Sequence, residues 1–135
     1  MIDVSEGKLP ADEAEEAAYK ASLHADVTEQ TEFLLSHVGS RLTAAALGLK
    51  DARPLRSWLT GESGPKSAAV AERLRILFRV AYAITGVYGG RTASAFIRSA
   101  NPQLDNESPL VLLRADDPAS VEGKLLSATR AFVEG

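Results

Sequence analysis

Few residues of this 135-residue chain have types and spacings that could carry out a reaction. Its two histidines, His24 and His37, lie thirteen positions apart, and neither belongs to the H-E-x-x-H spacing that aims two imidazoles at one metal. Cysteine is absent, which removes thiolate nucleophiles, disulfides and cysteine-based zinc sites together. Gly86, Gly89 and Gly90 have no G-K-[ST] after them and no strand-like run before them, so they read as turn glycines rather than a phosphate loop. Glu15 and Glu16 fall in an Ala/Glu tract, where a charged helix face needs no catalytic explanation. The expectation is a protein with no catalytic residues, no metal and no cofactor, that is, not an enzyme.

What remains is a set of hydrogen-bond donors. Arg53, Arg56, Ser57 and Thr60 recur at i, i+3, i+4 and i+7, which puts them on one side of a helix, while Leu55, Trp58 and Leu59 fall on the other. Arginine can bridge the O6 and N7 acceptors of guanine in the major groove, and serine or threonine can bond base edges or phosphates. Trp58 lies on the apolar side and is expected to pack rather than to stack on bases. Spacing alone leaves two readings open: a helix-turn-helix with Arg53, Arg56, Ser57 and Thr60 facing DNA, or an ordinary helical hairpin with a solvated arginine face.

The elements that must position this set can be read along the chain. Residues 1–10 lack periodicity and end at Pro10, so they are expected to lie outside the core. Ala14, Ala17, Ala18 and Ala21 predict a helix from Ala11 to about Ala25 with a weak apolar face. A second helix should run from Thr28, as its cap, to Gly39. A short alanine-rich helix, Leu42 to Leu47, then reaches Gly48, and a new helix starts with Asp51 as cap and stops at Gly61. Small residues at Ala44 or Ala45 permit a close crossing, and Gly48 permits the turn. A longer, central helix is expected from Ser67 to Thr85, with Val70, Leu74, Leu77, Phe78, Ala81 and Ile84 facing one way, followed by a break at Gly86, Gly89 and Gly90. Then come a helix around Thr92 to Ser99, a turn at Asn101-Pro102, a short element after Pro109 and a last helix from Pro118 to Val133. No strand-like alternation occurs, so the fold class is all-α.

Charge is uneven although the net value is only −3. Residues 1–30 hold eight acids against two bases, whereas residues 41–79 hold eight bases against three acids. A basic tract inside an acidic chain can attract phosphate locally. No apolar run approaches the roughly 20 residues of a membrane span, and the N-terminus is acidic where a signal peptide would be basic, so the cytoplasm is the expected compartment.

The run LTAAALGLKDARPLRSWLTGE, then RLRILFRVAYAI, then AFIRSANPQLDNESPLVLLR, resembles the Xre/MbcA/ParS-type antitoxins over about residues 35–133. The features that carry the resemblance are W-L-x-G at Trp58 to Gly61, R-L-R at Arg73 to Arg75, N-P-x-L at Asn101 to Leu104 and S-P-L-x-L-L at Ser108 to Leu113. It implies an Xre-like helix-turn-helix domain over 27–88 and a helical toxin-binding-like domain over 89–135, expected to share one core, after the acidic arm and helix that composition places over 1–26. It also implies a homodimer that binds operator DNA, regulates its own transcription and neutralises a cognate toxin, often a RES-domain enzyme that consumes NAD. DNA contact would then fall on Lys50, Arg53, Arg56, Ser57 and Thr60, and toxin contact on the segment from Asn101 onward, with Arg130 and Phe132. A free-standing regulator without a toxin, or an interaction module that binds no DNA, are the alternatives. The sequence departs from the commonest helix-turn-helix in having one extra residue between Gly48 and Trp58 and a proline at position 54, which predicts a longer turn.

Overall fold

The computed structural model describes residues 7–115 and 117–135. Among them the chain is all-α and forms no strand. The helices are α1 (Ala11–His24), α2 (Val27–His37), α3 (Ser40–Leu47), α4 (Arg53–Thr60), α5 (Ala68–Tyr88), α6 (Gly90–Arg98), α7 (Pro109–Ala115) and α8 (Pro118–Val133), with a 3-10 turn at Pro102–Leu104. The long α5 is the axis: α1, α2, α3, α6 and α8 all pack against it. Its buried Leu74, Leu77, Phe78, Ala81 and Ile84 follow helical spacing, as the sequence pattern predicts. One hydrophobic cluster runs from Leu34 and Leu47 through α5 to Phe96, Leu113, Leu125 and Val133, so a single core crosses position 89.

Several boundaries differ from the sequence expectation, each for a local reason. The cap of α2 is Asp26, not Thr28: Asp26 Oδ1 accepts the Glu29 N–H at 2.8 Å, and Glu29 Oε1 accepts the Asp26 N–H at 3.1 Å. This reciprocal box places Thr28 inside the first turn, where its hydroxyl donates to the Trp58 carbonyl at 2.9 Å and ties α2 to the end of α4. Gly86 does not break the chain. It is buried within α5, which continues to Tyr88 and stops at Gly89, where φ is 91°. Gly90 then allows α6 to start against the end of α2, since a Cβ there would lie 2.8 Å from the His37 carbonyl oxygen.

The N-terminal segment is closer to the core than its composition suggests. Leu9 donates its N–H to the Gly86 carbonyl at 2.8 Å, and Gly7, at φ 67°, abuts the backbone of Tyr88 and Gly89. In α1 the small side chains of Ala14 and Ala18 are fully buried and let the helix lie tightly on α5. The remainder of the expected arm, residues 1–6, lies outside the described residues.

Candidate nucleic-acid interface

The geometry of α4 follows from its two ends. Residues 48–52 join α3 to α4, one or two more than the commonest turn of this kind. Gly48 closes α3 in the left-handed conformation at φ 78°, its N–H bonded to the Ala45 carbonyl and the Leu49 N–H to that of Ala44. Arg73 of α5 reaches under this turn, with Nη1 3.5 Å from the Leu47 carbonyl oxygen. Ala52 is the residue before α4, so Asp51 does not take the expected cap position; its Oδ1 instead accepts the Arg53 backbone N–H at 2.9 Å. At the other end Gly61, at φ 79°, and Glu62 return N–H groups to the last carbonyls.

Between these ends α4 has two faces. Leu55 and Trp58 are buried, and Leu59 is partly so. Arg53, Arg56 and Thr60 are exposed, as is Lys50 in the preceding turn, while Ser57 is half-buried. Both hydroxyls are engaged locally: Ser57 Oγ donates to the Pro54 carbonyl at 2.9 Å and meets Ser63 Oγ, and Thr60 Oγ1 donates to the Ser57 carbonyl at 3.1 Å. What Ser57 and Thr60 can still offer a ligand is lone pairs, so donation from this face belongs to the arginines and Lys50. Arg53 Nε and Nη2 donate to Asp51 Oδ1 and Oδ2 at 3.1 and 2.7 Å. The Arg53 guanidinium holds the Asp51 carboxyl below the usual aspartate range, and the Arg53 backbone N–H adds to the same effect.

Arg53 and Arg56 share a depression of about 590 Å³ with Ser40, the first residue of α3. Gly39 caps α3 at φ 100° without a side-chain acceptor, so the first-turn N–H groups of α3 add a partial positive charge beside the two arginines. Of the rest of the basic tract, Arg41 and Lys66 are exposed, whereas Arg75 and Arg79 serve packing. Arg75 binds Glu72 and Glu122, both at 2.9 Å, joining α5 to α8, and Arg79 lies 5.1 Å over the Tyr19 ring of α1.

The residues expected to meet a toxin separate into two places. Asn101 Oδ1 accepts the Gln103 N–H at 2.8 Å and shapes the 3-10 turn. The Phe132 ring packs on Phe96 at 4.8 Å and on Tyr88 at 5.4 Å, and 38% of the residue stays exposed. Asn101 and Phe132 line one groove of about 300 Å³ with Phe96 and Pro102. Arg130 is not part of it: its Nε donates to Glu15 of α1 at 2.9 Å, and it lines a different pocket with Tyr19 and Arg79.

No family model, curated protein or solved structure matches the chain.

Two residues that fix α4, one in the turn before it and one in α2, escape a reading by periodicity. Asp51 engages the arginine two positions away, which the D-x-R spacing could have signalled. Thr28 locks the end of α4 from thirty residues upstream, and nothing in the local sequence announces that contact.

Proposed function

We propose that the chain is a duplex-DNA-binding antitoxin that docks α4 in the major groove, represses its own transcription and neutralises a partner toxin through the face containing Phe132. The observation that carries the DNA-binding part is the division of α4. Leu55 and Trp58 anchor it to the core, while Arg53, Arg56 and Thr60 stand outside, the two arginines beside the uncapped N-terminus of α3. A helix with an anchored apolar side and outward guanidinium groups suits base contact, and backbone N–H groups at a neighbouring helix start suit phosphate. The antitoxin part rests on the resemblance carried by the four motifs, and the exposed aromatic at Phe132 supplies the kind of anchor an interface uses. Pairing of two copies on two half-sites belongs to the same reading.

The test is enrichment of a randomised duplex library by the purified chain, followed by titration of the selected duplex. Arg53→Ala with Arg56→Ala should weaken binding by about thirtyfold or more, since each bidentate base contact carries roughly 1–3 kcal/mol. Unchanged affinity in the double variant, with its circular dichroism intact, discards the assignment of α4 to DNA.

A further inference from the structure

The Asp51–Arg53 pair is more constrained than an ordinary surface ion pair. Asp51 Oδ1 is held by the Arg53 backbone N–H at 2.9 Å, so the carboxylate is fixed to the start of α4 before it meets the side chain. The same carboxylate then takes Arg53 Nε and Nη2 at 3.1 and 2.7 Å. Three hydrogen bonds over two residues leave the guanidinium little rotational freedom, although its side chain is 87% exposed.

A guanidinium has five N–H donors in a fixed plane and two edges that match a pair of acceptors. The side edge, Nε with one proton of Nη2, is occupied by Asp51. The end edge, one proton each from Nη1 and Nη2, remains, and its two parallel donors match the spacing of guanine O6 and N7. Adenine offers N7 but places a donor where guanine has O6, so an arginine held end-on is repelled by the wrong purine.

We propose that Asp51 is a positioning residue for base recognition: it holds Arg53 end-on to the major groove and makes guanine the base selected at that position. This rests on the DNA-binding reading and adds a selectivity to it. Asp51 brings a negative charge to a surface that meets phosphates, so it lowers affinity for any duplex while sharpening the choice among them. An unbuttressed Arg53 would swing between bases and phosphates, gaining general affinity and losing discrimination.

The experiment compares the wild-type chain, Asp51→Ala, Asp51→Asn and Arg53→Ala on the duplex enriched from a randomised library, on its single-base-pair variants and on an unrelated duplex. The wild type should prefer guanine by about tenfold or more at one base pair, and Arg53→Ala should lose that preference, which assigns the position. Asp51→Ala should lose it at the same base pair while binding the unrelated duplex as well as, or better than, the wild type. Asp51→Asn keeps an oxygen for the Arg53 N–H and so preserves the turn should the alanine variant fail to fold; it should lose part of the preference. A merely structural Asp51 would weaken all duplexes alike, and that result overturns the proposal. So does full guanine preference in both Asp51 variants, or an Arg53-dependent position that is not guanine. If the wild type enriches no sequence and retains no duplex, it is the DNA-binding reading itself that fails, and the positioning role with it.

Discussion

Arg53 and Arg56 sit one helical turn apart on the same exposed side, yet their surroundings differ. Arg53 is tied to Asp51, whereas among the described residues Arg56 makes no ion pair. The two can therefore divide the work of the face, a fixed donor pair at one position and an adaptable cation at the other. The Asp51–Arg53 pair also predicts a pH response of definite sign. The guanidinium and the Arg53 N–H favour the ionised carboxyl, so its folded value lies below its unfolded one. Such a group contributes stability that is complete above the unfolded value and is lost as pH falls through the folded one. Nuclear magnetic resonance titration of the Asp51 side chain should give a midpoint below the ordinary aspartate range, returning toward it in Arg53→Ala. Because the pair is exposed, the melting temperature should barely register the change. A midpoint that is the same with and without the Arg53 side chain contradicts the pairing in solution.

Elements were legible where the signal was periodic or where a turn residue acted within its own segment. α8 runs from Pro118 to Val133 as expected, and α5 buries the anticipated face. The failures occur where tertiary partners decide. Three glycines within residues 86–90 look like one long break, but burial of Gly86 and the Leu9 bond to its carbonyl keep it helical. The alanine stripe did predict α1, but its strong hold on α5 comes from small side chains that permit a close helix pair, which a weak apolar face did not announce. For the candidate site, the two faces of α4 could be read from spacing alone, and the D-x-R spacing offered the Asp51–Arg53 pair, whereas the engagement of Ser57 and Thr60 by their neighbours could not be read. Two variants probe the element ends. Asp26→Ala removes the α2 capping box and should cost about 1 kcal/mol in denaturant unfolding. Gly48→Ala forces a Cβ onto a left-handed residue 3.3 Å from Arg73 Nη1, and should cost roughly 1–2 kcal/mol or more. If Gly48→Ala is neutral, the turn between α3 and α4 is not held in the described conformation.

At the scale of the whole molecule, the shared core makes the tail a part of the fold as well as a candidate docking element. Thr129 and Val133 are buried, Arg130 reaches α1, and Phe132 covers Phe96 and Tyr88 while leaving part of its ring outside. Deleting residues 129–135 therefore removes core contacts together with any docking surface, and should lower stability by about 2–4 kcal/mol, roughly 10 °C in melting temperature for a chain of this size. A loss of toxin neutralisation in that truncation would carry no information about docking. Phe132→Ser separates the two roles, because Val133 stays in the core and only a partly exposed ring is lost. It should cost about 1–2 kcal/mol and leave the exposed face of α4 in place. If the proposed toxin exists and enters the groove between Phe132 and Asn101, this variant should stay folded, retain any duplex that the wild type selects and fail to neutralise that toxin. A folded Phe132→Ser that neutralises the toxin as well as wild type moves docking away from that groove. The remaining site in the expected set would then be Arg130, for which Arg130→Ala gives the matching measurement on the opposite pocket.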